Sequence, residues 1–400
     1  MKKIVVFLVA FFSFVGTIFA YDFDIKSEKV IMVNLNEDMI LYNKDENDKV
    51  QIASLTKIIT AITVIENQPD LNKMVTIKSN MLSGLDGYAK LGLKVGDQVS
   101  YFDLLYALML PSAADAGQAL AIDMAGSING FADMMNKEIE KIGVKNSHFT
   151  NPVGMDDDNN YSTAKDLYLI LEYSLKNDTF KALFEAKEHY LSTVGKTIYK
   201  TVNTTANQNG LDIHVIKGAK TGFTYDAGLC LATTSSANGV DYLIVVLGAP
   251  VDTFYHINDT VNLYNYYIDN YEYKTVVNKD ELLITLPVKK SKTKKLSFYT
   301  TEEVKKYLKK DFDKSKIEIK YTGVDEITSK IKKGDKLGTF DFVYNGESLY
   351  KTDIYLNEDI KYFNYTKNIV ILIIIVVVSL WILKRVFYKK RKRNKKNNKK

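Results

Sequence analysis

Ser54 and Lys57 stand three residues apart at the head of an apolar helical stripe, which places a hydroxyl and an amine on one helix face. An amine beside a hydroxyl is a base beside a nucleophile once it has lost its proton. Burial promotes that loss, and so does a second cation such as Lys220. The start of the helix also favours negative charge developing there. Pro111 disfavours helix at the residue before it, so Ser112 is expected in a turn between a helix over residues 102–110 and an alanine-rich helix from Asp115. Lys220, Thr221, Gly222 and Thr224 lie ahead of an apolar strand over residues 229–234. An edge strand there can take an extended peptide, with glycine allowing close approach and Lys220 and the two threonine hydroxyls facing a carboxylate. Nucleophile, amine base, second hydroxyl and cationic anchor together describe acyl transfer through a serine ester, with no histidine required.

The Ser-x-x-Lys spacing is common by itself. It recurs at Ser162-Lys165, Ser291-Lys294, Ser329-Lys332 and Ser348-Lys351. Only Ser54 is followed by a long stripe (Ile58, Ile59, Ile62, Ile65), with Ser54 expected as its N-cap. Ser162 is expected to cap a helix through Asp166, Ser291 to lie in a solvated basic loop, and Ser329 and Ser348 to fall among short strand-like segments.

The elements that must hold these residues are partly readable. Residues 30–35 and 39–42 are β-branched-rich runs around a polar turn, expected as a hairpin of buried strands. Alternation over residues 317–321 and 337–340 predicts a separate β-rich module, residues 273–358. Residues 1–20 read as a signal peptide: Lys2 and Lys3, an apolar run, then Ala20. Ile18 stands where a small residue is usual, so an uncleaved anchor is the alternative. Residues 365–388 read as one membrane span and residues 389–400 as a basic cytoplasmic tail, because residues 384–400 hold eleven Lys or Arg and no acid. The catalytic domain, residues 21–272, would then lie on the extracytoplasmic face.

That layout changes what the net charge of +6 means, since residues 21–383 carry −7. A nucleic-acid partner is therefore not expected. All three arginines lie in the tail, leaving lysine as the permanent cation elsewhere. A lone Cys230 excludes an intramolecular disulfide, and its apolar surroundings predict a buried structural thiol. Four scattered histidines give no metal-ligand spacing, so neither a metal nor another cofactor is expected.

With these motifs in order, the chain resembles the D-alanyl-D-alanine carboxypeptidases, low-molecular-mass penicillin-binding proteins of the β-lactamase fold. The likeness covers residues 30–250, through Ala53-Ser54-Leu55-Thr56-Lys57, Pro111-Ser112-Ala113-Ala114-Asp115-Ala116, Asn151-Pro152-Val153-Gly154-Met155, Tyr161-Ser162-Thr163-Ala164 and Lys220-Thr221-Gly222-Phe223-Thr224. A second likeness, to the family's C-terminal β-rich domain, covers residues 274–356, most clearly at Lys333-Gly334-Asp335-Lys336-Leu337-Gly338-Thr339. It implies an α/β (α+β) fold, an antiparallel sheet flanked by helices with a helical region inserted between the first and third motifs.

By this resemblance Ser54 attacks a peptidoglycan stem peptide, Lys57 takes its proton and Ser112 relays a proton to the leaving D-alanine. Lys220, Thr221, Gly222 and Thr224 bind substrate, and the backbone N–H groups of Ser54 and Phe223 form the oxyanion hole, each donor worth about 3–4 kcal/mol. β-Lactams would acylate the same serine. The family's second motif usually reads Ser-x-Asn, whereas Ala114 stands at its third position here. A β-lactamase, recognised by rapid steady-state penicillin hydrolysis, is one alternative. A peptidoglycan-binding protein with weakened activity, recognised by binding without D-alanine release, is the other.

Overall fold

Val30, Ile31, Met32 and Val33 are all fully buried, because their strand has neighbours on both edges and packing on both faces. The structure, a computed structural model, describes residues 23–363 and 365–397, so the expected signal peptide lies outside the described residues. The chain divides into two units at Asn270 and Tyr271.

The first unit begins with β1 (Lys29–Asn34) and β2 (Met39–Lys44). A helical insertion follows: α1 (Thr56–Asn67), the hairpin β3 (Met74–Thr76) with β4 (Gln98–Ser100), α2 (Tyr101–Met109), α3 (Ala114–Ala125), α4 (Ile128–Ile142), α5 (Ala164–Leu175) and α6 (Asp178–Glu185). It ends with a second hairpin, β5 (Glu188–Leu191) with β6 (Lys196–Tyr199), and α7 (Thr201–Asn209). The chain then returns as β7 (Gly218–Thr224), β8 (Gly228–Ala237) and β9 (Val240–Ala249), closed by α8 (Tyr255–Asn270). One antiparallel sheet runs β2-β1-β9-β8-β7, leaving β7 at an edge. Helix α5 packs on β1 and β9, and α8 on β8 and β9.

The residue pattern predicts two buried strands in the first hairpin. Only Leu41 is buried in β2, because β2 is the other edge of the sheet and turns its alternate residues to solvent. Two capping expectations also shift. Thr163, not Ser162, caps α5, its Oγ1 accepting the Asp166 N–H at 2.9 Å. Ser162 instead pairs with Ser147 Oγ at 2.7 Å.

The second unit holds β10 (Tyr271–Val277), β11 (Leu282–Pro287), β12 (Lys295–Tyr299), β13 (Val304–Lys309), β14 (Glu318–Gly323), β15 (Lys336–Tyr344) and β16 (Glu347–Tyr355). They form antiparallel pairs β10-β13 and β11-β12 and a three-stranded sheet β14-β15-β16 around Val277, Leu286, Ile327, Leu337 and Phe340. Ser291 is buried rather than solvated, since its Oγ donates to Lys361 O at 3.0 Å. The chain ends in α9 (Tyr365–Asn397), which is by length and composition apolar enough to cross a membrane within Tyr365–Lys392; its most apolar 18-residue window has mean hydropathy 2.7 and none of it is buried. Ser379 Oγ donates to Ile375 O at 2.8 Å, so this hydroxyl is satisfied within its own helix.

Candidate active site

Ala53 adopts φ +46, a left-handed conformation that alanine rarely takes, and swings the chain into a 3₁₀ turn, Ala53–Leu55, ahead of α1. This corrects the expected N-cap. Ser54 lies inside the turn, no side chain caps either helix start, and the Ser54 hydroxyl is engaged elsewhere. Lys57 Nζ donates to Ser54 Oγ at 2.6 Å and to Val153 O at 2.6 Å. Lys57 is only 1% exposed, and burial pushes its amine down to about 7. Near neutral pH a large share of this amine is therefore unprotonated and able to accept the proton of Ser54.

The Val153 carbonyl is held in place by a network that sequence reasoning left without a role. Asn151 Oδ1 accepts the N–H groups of Val153 (3.2 Å), Gly154 (2.8 Å) and Met155 (2.9 Å). Thr60 Oγ1 donates to Pro152 O at 2.7 Å, tying the same loop to α1. Gly154 has φ +79, and a Cβ there would lie 1.8 Å from Ala53 O and 3.0 Å from Ser54 N. The string Asn151-Pro152-Val153-Gly154-Met155 is the signal the sequence offers, but only the fold shows that its glycine closes onto the backbone before Ser54. Asn151→Ala strands three N–H donors, and we expect it to cost about 2–3 kcal/mol of stability. The rate at which an acylating reagent modifies Ser54 is expected to fall by about tenfold or more, since Lys57 loses a fixed partner. Urea unfolding and acylation kinetics on the same samples check both.

Ser112 takes φ +65 between α2 and α3. Lys220 Nζ donates to its Oγ at 2.9 Å and to Thr221 O at 2.7 Å. The Lys220 amine is fully enclosed and held well below the ordinary lysine value, first by burial and then by the charges of Lys57 and Lys200. The first, second and third motifs thus meet as two amine–hydroxyl pairs. Ala114, at the usual asparagine position, is buried against Leu85 and Val153, with Tyr88 and Met155 alongside. Its backbone N–H donates to Ala89 O at 2.7 Å, and Asp115 carboxylate oxygens accept from Leu91, Gly92 and Leu93. The loop over residues 89–93 is thereby fixed on the start of α3. A small apolar cluster occupies this side of the site, and the Val153 carbonyl supplies Lys57 with a second partner.

On β7, alternation puts Lys220, Gly222 and Thr224 on the buried side and Thr221 and Phe223 on the more open one. A Cβ on Gly222 would lie 3.1 Å from Ser54 N and 3.0 Å from Ile52 O, so glycine lets β7 sit this close to the serine without a shift of either backbone. Thr224 Oγ1 accepts the Ala227 N–H at 3.1 Å, closing the turn to β8. Phe223 is 46% exposed and meets Tyr225 edge-on at 5.4 Å.

A third buried amine escaped the sequence. Lys200 is 3% exposed and donates to Phe184 O at 2.6 Å and Ala219 O at 3.0 Å, the latter just before Lys220. Burial brings it to about 7, partly opposed by Glu185. Lys57 and Lys200 bind protons less readily in the folded than in the unfolded chain, so the unfolded state holds more protons between about pH 7 and 10.5. Stability from this pair therefore rises with pH across that window and is lowest below it. Denaturation midpoints from pH 7 to 10 check this, and Lys200→Met is expected to flatten the slope. Cys230 is fully buried and its thiol is pushed up to about 12, leaving it protonated. No metal-holding group of His, Cys, Asp or Glu exists among the described residues.

Comparison with known proteins fits this geometry. The family profile described as D-alanyl-D-alanine carboxypeptidase (Peptidase S11) matches residues 17–251. The profile described as Penicillin-binding protein 5, C-terminal domain, matches residues 271–362. The chain is 26% identical over 338 residues to the D-alanyl-D-alanine carboxypeptidase DacF of Bacillus subtilis (strain 168), covering 84% of this chain and 86% of that protein. It is 28% identical over 366 residues to DacC of Escherichia coli (strain K12), also a D-alanyl-D-alanine carboxypeptidase, covering 88% and 89%. The crystal structure of the D-alanyl-D-alanine carboxypeptidase DacD from Francisella tularensis shares the fold, with TM-score 0.67 and 20% identity over 86% of this chain and 95% of that one.

Proposed function

The chain belongs to the D-alanyl-D-alanine carboxypeptidase family and is a serine peptidase of that kind; from that premise we propose that Ser54 is its nucleophile and Lys57 its base. The substrate is a peptidoglycan stem peptide ending in two D-alanines. Ser54 Oγ attacks the carbonyl between them while Lys57 Nζ takes the hydroxyl proton. The C–N bond breaks, and the departing nitrogen receives a proton relayed through Ser112. Water then attacks the Ser54 ester, giving up its proton to Lys57, and regenerates the serine. Lys220 and the Thr221 and Thr224 hydroxyls receive the terminal carboxylate, Gly222 lets the extended substrate approach the β7 backbone closely, and the N–H groups of Ser54 and Phe223 polarise the carbonyl. A β-lactam acylates Ser54 by the same attack.

The observation that carries this assignment is the 2.6 Å contact between the buried Lys57 amine and Ser54 Oγ. The same proposal places residues 1–20 as an export signal, residues 365–388 as the span, residues 389–400 against the cytoplasmic leaflet and the catalytic domain outside. Residues 273–358 would hold the active site off the membrane. The full chain in detergent is expected to release D-alanine from a stem pentapeptide, with Ser54→Ala at least about 10³-fold slower. Equal release by the two proteins contradicts the assignment.

A further inference from the structure

Residues 289–295 hold five exposed lysines (Lys289, Lys290, Lys292, Lys294, Lys295) and no acid. This loop is fixed to the segment that leads into α9. Phe363 N donates to Lys290 O at 2.6 Å, Ser291 bridges Tyr362, and the buried Ser291 hydroxyl donates to Lys361 O at 3.0 Å. Tyr362 OH donates to Thr328 O at 2.7 Å, and Lys289 N to Ile327 O at 2.9 Å, which brings in Lys330, Lys332 and Lys333, also exposed. Acids are fewer in these segments: Glu326 pairs with Lys289 at 2.5 Å, Asp335 accepts the Lys332 N–H, and Asp325, Glu358 and Asp359 are the others.

Tyr365, the first residue of α9, lies two residues beyond Phe363, so chain length alone keeps the loop's attachment point within about 7 Å of the apolar helix. Phe363 and Tyr365 add an aromatic pair at 5.9 Å, the side-chain type that settles at headgroup level. Lys290 is moreover held at φ +55, a position that glycine would occupy with less strain, yet a charged residue stands there.

We propose that this lysine collar, fixed to the root of the apolar helix, binds the phosphates of anionic lipid headgroups and seats the β-rich unit on the membrane surface. The inference rests on the proposal that α9 spans the bilayer. It adds a specific face and ligand to the β-rich unit, which on the simpler view is only a spacer. A lysine near an anionic surface contributes about fivefold in partitioning, and this term is screened by salt.

The test is lysine footprinting on the full chain reconstituted into vesicles of phosphatidylcholine with or without about one-third phosphatidylglycerol. Carbonate-washed vesicles are floated, treated with a membrane-impermeant acetylating reagent and digested for mass spectrometry, with exposed Lys181 and Lys196 of the catalytic unit as internal standards. The expected result is that Lys290, Lys292, Lys294 and Lys295 acetylate at least about fivefold more slowly in the anionic vesicles, and that 1 M salt removes the difference. A triple variant, Lys292→Gln with Lys294→Gln and Lys295→Gln, should leave Lys290 unprotected while penicillin labelling is unchanged. Chain that floats but shows equal acetylation in both lipids overturns the collar and leaves the anchor standing. Chain that does not float overturns the anchor and the collar with it. Equal protection in neutral vesicles by added soluble poly(glycerol phosphate), without any lipid effect, overturns the lipid assignment in favour of a wall polymer.

Discussion

Replacing Lys57 with methionine is expected to slow acylation by penicillin on the order of 10³-fold or more while leaving the chain folded. The amine is buried, its burial alone brings it to about 7, and its Nζ lies 2.6 Å from Ser54 Oγ. No other titratable side chain hydrogen-bonds that hydroxyl among the described residues, so nothing substitutes for it as base. Methionine fills a similar apolar channel without carrying a buried amine, and its unfolding free energy at pH 7 should be no lower than that of the parent. The pH profile separates a base from a packing residue. Parent acylation should rise as pH increases through about 7, as Lys57 loses its proton, and the variant should show no such rise. A variant that acylates within tenfold of the parent, with the same profile, would remove Lys57 from the chemistry.

Gly154→Ala should be nearly as damaging, for a steric reason remote from proton transfer. The added Cβ would sit 1.8 Å from Ala53 O and 2.4 Å from Ala53 C, both backbone atoms of the turn that carries Ser54. Relief requires the loop over residues 151–155 and the Ala53–Leu55 turn to separate, which also withdraws Val153 O from Lys57. With φ +79 adding left-handed strain, we expect a loss of about 4 kcal/mol or more, or a folded protein acylating at least 10²-fold more slowly. Gly84→Ala is the control. Its φ is +73 with nothing within 4 Å of the new Cβ, so it should cost only about 1–2 kcal/mol and spare acylation. Equal effects from the two substitutions would show that contact with the serine turn is unimportant.

Local pattern made some of this site legible and left other parts hidden. The Ser54–Lys57 pairing was readable because spacing on a helix is fixed by geometry, even though the local start is a 3₁₀ turn and Ser54 caps nothing. The Ser112–Lys220 contact depended on the resemblance, since 108 residues separate the pair and no periodicity links them. The second partner of Lys57 could not be read at all. It is a backbone carbonyl 96 residues away, and carbonyls have no sequence signature.

Lys200 was invisible for the opposite reason, because a lone lysine reads as a solvated residue until the fold encloses it. Ser291 erred in the same direction: charged neighbours suggested solvent, while its hydroxyl is turned inward to a carbonyl. In the sheet, composition finds the strands but not their rank: the pattern predicts a hairpin of buried strands, while β2 lies at the edge, which is a tertiary property.

Ser54 alone is expected to become the ester, which intact-mass measurement of the full chain after exposure to penicillin, followed by peptide mapping, reads out. The prediction is one adduct of the mass of the intact β-lactam per chain, located on the peptide bearing Ser54 and absent from Ser54→Ala. An adduct on Ser112 or on any other residue, or an adduct that survives in Ser54→Ala, would contradict it.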